Sequence, residues 1–197
     1  MRSKILGKEF FEKDTIQAAR SLLGDVLVHD SPQGRTSGII VETEAYLSQG
    51  DPACHAAKGK TKRNAVMFGP PGRAYVYLIY GSYYCFNAVT NQEDVGEAVL
   101  IRALEPLEGL DLMEKRRGLG QKITNLTSGP GKLCDAMGIS KEQNGLSLQK
   151  YPLFITEGVE IESSSIGVSG RIGINQAQDK PWRFFIIGNI FLSRRGV

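Results

Sequence analysis

Three strand-like runs in direct succession leave this chain few architectures to choose from. Ala74-Tyr75-Val76-Tyr77-Leu78-Ile79 is rich in aromatic and branched side chains, Gly81-Ser82 interrupts it, and Tyr84 to Thr90 resumes the pattern. After a further turn, Glu97 to Leu104 makes a third run. Parallel neighbours need crossover connections far longer than these, so the three strands are antiparallel and form a meander. Tyr80 then falls at or near a hairpin tip.

Weaker signals surround the meander. Asp14-Thr15 opens a helix, Ile16, Ala19 and Leu22-Leu23 follow at helical spacing, and Gly24 ends it. Asp25 to Asp30 reads as a strand, Ser31-Pro32-Gln33-Gly34 as a turn, and Gly38 to Tyr46 as the next strand. On that strand Glu42, Glu44 and Tyr46 share one face, and Val41, Thr43 and Ala45 the other. Leu47 to Arg73 is a long irregular stretch of the kind that is usually functional or disordered. Leu107 to Arg117 reads as a helix with basic residues at its C-terminal end, and Lys132 to Met137 as a short helix. Leu153 to Thr156, Ser165 to Ile174 and Trp182 to Gly188 read as short strands. A chain of 197 residues makes one domain that needs no disulfide staples. The expected class is α+β: a single domain with a curved, mainly antiparallel sheet, partly open and barrel-like, surrounded by short helices.

The net charge of +3 permits a nucleic-acid partner without demanding one. Its distribution says more. Lys58, Lys60, Lys62 and Arg63 lie within six residues, Arg116-Arg117 forms a second knot and Arg194-Arg195 a third. Each taken alone reads as a solvated patch. Three widely spaced cysteines, Cys54, Cys85 and Cys134, suit a reducing cytosol, and none pairs at zinc-ligand spacing. No apolar run approaches a transmembrane span, and Met1 to Gly7 does not read as a signal peptide. The expectation is a cytoplasmic protein with no membrane, metal or cofactor.

Chemistry concentrates in a few positions. Glu42 and Glu44 sit two apart on a strand that begins with three apolar residues, where a carboxylate is costly unless paired or working. Either is a candidate general base, but a solvent-facing polar edge describes most Glu-x-Glu pairs, so the segment alone does not decide for catalysis. Arg102 interrupts the apolar run Ala98 to Leu104; it must be paired, line a wet cavity, or reach solvent along its stem. An Arg–Glu pair between neighbouring strands would satisfy both residues and favour an ionised carboxylate. Tyr46, Tyr75, Tyr77, Tyr80, Tyr83 and Tyr84 crowd the central third beside the basic loop. Stacking surfaces with cationic loops are how proteins hold unpaired bases. His55 and Asn87 have both functional and structural readings.

Several segments together resemble the alkyladenine (3-methyladenine) DNA glycosylase family. They are Ile40 to Tyr46, His55, Lys62-Arg63-Asn64, Tyr75 to Gly81, Asn87, Arg102 to Pro106, Ser128 to Cys134 and Lys180 to Phe184. They run from about residue 38 to about residue 185 in family order, and no catalytic position departs. The short N-terminus suggests that the extra segment of some members is missing.

The resemblance implies a role for each matched residue. Glu44 corresponds to the general base; Arg102 and the backbone carbonyl of Ile172 hold the attacking water with it. Tyr46, His55 and Tyr77 correspond to aromatic walls around a flipped base, Tyr80 to the side chain that fills the gap in the duplex, and Asn87 to the residue that clashes with the exocyclic amine of guanine. Lys132, and with it Lys60, Lys62 and Arg63 of the basic loop, would contact phosphate. The implied partner is double-stranded DNA containing damaged purines, met by a monomer. The implied reaction is monofunctional removal of alkylated or deaminated purines, leaving an abasic site, since no lysine matches a nucleophile position. The resemblance leaves Glu42 without a role.

Overall fold

A computed structural model describes residues 4–194. Arg195 of the third basic knot, and Met1 to Ser3, fall outside them. Two short helices open the chain, α1 (Lys8–Phe11) and α2 (Thr15–Ser21). Asp14 caps α2 by accepting the Ile16 and Gln17 amides, which a helix start leaves without intrahelical partners. Strands β1 (Val26–Ser31), β2 (Gly34–Tyr46), β3 (Ala74–Ile79), β4 (Tyr83–Thr90) and β5 (Glu97–Glu108) follow. Then come α3 (Leu110–Arg117), α4 (Ile123–Leu126), α5 (Pro130–Met137), β6 (Gln149–Lys150), β7 (Leu153–Thr156), β8 (Ile166–Ser169) and β9 (Arg183–Ile186).

Among the described residues all nine strands join one antiparallel sheet, and the predicted meander is its β3-β4-β5 edge. The order continues through β2, β1, β7 and β6. β2 is long enough to change partners. One edge follows β5 from Ser37 to Tyr46; the other pairs with β1 up to Ile39 and with β9 over Glu42 to Glu44. That switch curls the sheet into an open half-barrel. Leu27, Ile40, Phe86, Ile101 and Leu104 meet Ala18, Met113, Leu133 and Met137 of the helices in the main core. The α+β expectation therefore holds, with a curled antiparallel sheet and short helices around it.

Three local readings are corrected. The helix expected from Leu107 begins only at Leu110, because pairing of Pro106 and Glu108 with Gly38 and Ser37 draws those residues into β5. Gly109, at φ 76°, then turns the chain and fits against the Arg35 carbonyl, where a Cβ would come within 2.3 Å. The strands expected over Ser165 to Ile174 and Trp182 to Gly188 shrink to β8 and β9, since β8 finds only β9 as partner and only over four residues. Val41 leaves the face of Thr43 and Ala45. It has no partner in β5 and packs with Ala103 and Phe191, because a bulge at Val41 breaks the two-residue alternation.

Candidate active site

Between Ile40 and Thr43 the β2–β5 ladder skips one residue on each strand. Ile40 pairs with Leu104, Glu42 with Ala103 and Thr43 with Ile101, which leaves Val41 and Arg102 unpaired. An unpaired strand residue bends its strand and re-aims its side chain. The Arg102 guanidinium is thereby directed at both carboxylates of β2. Its Nε donates to Glu42 Oε1 at 3.1 Å and its Nη1 to Glu44 Oε2 at 3.3 Å. Nη1 also reaches the Ile172 carbonyl at 3.4 Å, and Nη2 the Ser193 hydroxyl at 3.4 Å. All three charged side chains are buried.

The two carboxylates differ in what surrounds them. Burial would raise the Glu42 pKa, but Arg102 and Arg183 beside it, with the Ser193 amide, outweigh that and hold it below the usual carboxylate value. Arg183 Nε donates at 2.7 Å, Ser193 N–H at 2.7 Å and Ser193 Oγ at 2.8 Å. Glu42 is thus a fixed anion. Glu44 accepts the Ile172 amide on Oε1 at 2.7 Å and the Tyr46 hydroxyl on Oε2 at 2.9 Å. Here burial prevails over Arg102 and both donors, and the pKa is raised. The pairing expected to keep Glu44 charged is present, but it only moderates an upward shift. A carboxylate shifted upward is the better proton acceptor at neutral pH.

Glu44 lies behind a cavity of about 650 Å³ lined by Tyr46, His55, Tyr77, Asn87, Arg102 and Ile172 among others. His55 stands edge-on to Tyr77, ring centroids 4.5 Å apart, and its Nδ1 bonds the Tyr75 hydroxyl at 2.9 Å. Burial, with Arg63 nearby, lowers its pKa, so the imidazole is neutral at pH 7. The Asn87 amide donates to the Tyr75 carbonyl at 2.9 Å and faces the same cavity. Tyr80 stands at the β3–β4 tip, 82% exposed and at φ 52°.

Two of the four basic residues reach the cavity. Arg63 and Lys132 line it, and the Lys132 ammonium bonds Asn125 behind the Gly129-Pro130-Gly131 turn. Lys60 is turned to Asp94, 3.7 Å away and exposed, and Lys62 is exposed outside the cavity lining.

Four contributors escaped sequence reasoning: Arg183 and Ser193, which hold Glu42, and the buried pair of Arg171 with Asp51. Their partners lie 120 to 151 residues away in sequence, and although Arg183 falls within the matched segment Lys180 to Phe184, nothing there assigns it a role. Among the described residues no group of three metal-binding side chains occurs, and no helix is long and apolar enough to cross a membrane.

Residues 9–190 match the family described as Methylpurine-DNA glycosylase (MPG). A protein of Methanoculleus marisnigri is 51% identical over 189 residues, covering 94% of this chain and 97% of its own length. One of Chlorobaculum tepidum is 47% identical, covering 97% and 91%, and one of Carboxydothermus hydrogenoformans is 47% identical, covering 97% and 100%. All three carry the name "Putative 3-methyladenine DNA glycosylase". With an expectation from motifs and a match over nearly the whole chain in agreement, this protein belongs to the methylpurine-DNA glycosylase family, hydrolases of N-glycosyl bonds.

Proposed function

We infer that the chain is a monofunctional DNA N-glycosylase that removes alkylated purines, 3-methyladenine foremost, and deaminated purines from duplex DNA. The single observation that carries this reading is convergence. Glu44, Arg102 and the Ile172 peptide meet behind a cavity walled by Tyr46, Tyr77 and His55. The enzyme acts as a monomer wherever the cell keeps its DNA.

A glycosidic bond inside stacked DNA is out of reach, so the nucleotide is flipped out at a cost of about a few kcal/mol, least for a damaged base. Tyr80, exposed at its hairpin tip, fills the gap. Arg63 and Lys132 at the cavity hold phosphate, with Lys60 and Lys62 as outer contacts on the same loop as Arg63. Inside, a cationic alkylated purine gains about 0.5–2 kcal/mol from each well-placed tyrosine face. The Arg171 guanidinium already lies 4.6 Å from the Tyr46 ring centroid, so the base uses the opposite face. A neutral His55 adds no repulsion toward that cation. Asn87 limits the space for the exocyclic amine of guanine.

The chemical step needs one carboxylate. A water held by Glu44, Arg102 and the Ile172 carbonyl attacks C1′ of an oxocarbenium-like sugar. The bond from C1′ to the purine nitrogen breaks, and its electron pair leaves with the base: an alkylated purine departs neutral because alkylation had made it cationic, whereas an uncharged deaminated purine leaves as its anion and takes a proton from solvent. The water proton passes to Glu44 and C1′ keeps the hydroxyl, giving an abasic site with both strands intact. Release of methylated purines from duplex DNA by wild type and by Glu44→Gln tests this. Loss of release in the variant is expected; equal activity overturns the assignment of the base, and strand cleavage without added alkali overturns monofunctional action.

A further inference from the structure

The segment between β8 and β9 carries Ile172, yet it has no regular structure of its own. Among the described residues, hydrogen bonds from residues 170–181 to parts of the chain distant in sequence run through Arg171 and Ile172 alone. Arg171 is the anchor. Its side chain and that of Asp51 are both fully buried, and Nη1 and Nη2 donate to Oδ2 and Oδ1 at 2.6 Å each. Nη1 also donates to the Ala45 carbonyl at 3.0 Å, one residue from Glu44. The guanidinium lies 4.6 Å from the Tyr46 ring centroid and 5.0 Å from that of Trp182. Asp51 is pinned in turn. It accepts the Leu47 and Ala53 amides, and so ties down the start of the loop that carries His55. A planar fork on a carboxylate fixes orientation as well as distance.

We propose that the Asp51–Arg171 pair is the positioning element of this active site, holding the Ile172 peptide against Glu44 and bracing the His55 loop across the same cavity. The pair touches neither base nor sugar. It acts through the next residue: with Arg171 fixed, the Ile172 amide stays on Glu44 Oε1 and the Ile172 carbonyl stays beside Arg102. This rests on the reading of Glu44 as the general base.

The consequence is a change in how Glu44 titrates, because a donor to the ionised carboxylate favours that form. The groups facing Glu44 are Glu42 and Tyr46 on β2, Arg102 on β5, Tyr77 on β3, Cys85 on β4, Arg171 on the loop, and Arg183 across the β2–β9 ladder. Of these, Arg102 and Tyr46 bond Glu44 directly, so loss of the clamp removes the Ile172 donor; Arg171→Met also takes away a nearby cation, whereas Arg171→Lys and Asp51→Asn keep it, and either loss shifts Glu44 upward.

The test is single-turnover base release from methylated duplex DNA across pH, with Arg171→Met, Arg171→Lys and Asp51→Asn, beside a Glu44→Gln control. Arg171→Met is expected to slow release by roughly a hundredfold near neutrality, the scale of a misplaced reacting group. Its acidic limb moves to higher pH, and Arg171→Lys, which keeps the charge without the fork, falls between. Duplex binding stays within about twofold, since neither residue lies among the phosphate contacts. If Arg171→Met does not fold, Asp51→Asn provides the same readings. A loss equal at every pH, in step with lowered melting temperature, makes the pair merely structural and overturns the proposal. If Glu44→Gln is inactive while the clamp variants keep the wild-type rate and profile, the clamp alone fails. If Glu44→Gln is active, the reading of Glu44 fails first.

Discussion

Replacing Arg102 by glutamine tests the electrostatics of the site. Its Nη1 lies 3.3 Å from Glu44 Oε2, both side chains buried. With about 4 Å between charge centres and an effective dielectric of about 20, the attraction is on the order of 4 kcal/mol. Since about 1.4 kcal/mol is a tenfold change in an ionisation equilibrium, its complete loss would favour protonated Glu44 by up to roughly a thousandfold. Water admitted to the vacated space screens part of that, leaving an effect of roughly ten- to a hundredfold. The sign is fixed. Burial already raises the Glu44 pKa, Arg102 opposes it, and removing Arg102 raises it further. A protonated carboxyl cannot accept the water proton, so base release on the acidic side falls by up to that factor and recovers as pH rises. The fold survives, because Glu42 keeps Arg183 and Ser193, and Glu44 keeps Ile172 and Tyr46. The assay is single-turnover release of methylated purine from about pH 5 to pH 9, with thermal melting alongside. An unmoved acidic limb, or a fall in rate that is uniform with pH, rules out this electrostatic role for Arg102.

Tyr80 is held at φ 52° although 82% exposed, a conformation that costs a tyrosine about 1 kcal/mol and that asparagine tolerates better. Tyr80→Asn is therefore expected to melt at the same or a slightly higher temperature while acting more slowly on duplex DNA; a clear drop in melting temperature would count against the strain, and an unchanged duplex rate against the wedge. Asp25 titrates near pH 7, chiefly through burial, against an ordinary value of 3.8. A raised carboxyl contributes stability that is complete below the unfolded value and lost as pH rises through the folded one, so wild-type melting should decline from about pH 4 to 8 and Asp25→Asn should flatten that slope. Gly24 sits at φ 90°, with the Val159 carbonyl 2.0 Å from where a Cβ would stand, so Gly24→Ala should cost about 2 kcal/mol or more in denaturant melts. Duplex binding should weaken steeply with salt, and less steeply in Arg63→Gln or Lys132→Gln, by about one unit of log–log slope for each phosphate left without its cation.

The meander, the class of fold and the family were all legible in the order of residues. Alternating apolar runs broken by Gly-Ser fix strand pairing locally, and ordered motifs from Ile40 to Phe184 need no structure to be recognised. Glu44 was likewise placed beside Tyr46, since residues two apart on a strand share a face. No physical reading of the residues could choose between Glu42 and Glu44, because their difference lies in their partners. Arg183 and Ser193 hold one, while Ile172 and Tyr46 leave the other open to a proton. That distinction exists only in the folded chain. Folding put bulges at Val41 and Arg102, which no side-chain pattern announces, and so swung Arg102 onto both carboxylates. It also closed Asp51 on Arg171 across 120 residues. Periodicity reports the face a residue presents within its own element, whereas a buried charge is defined by whatever distant chain folds against it.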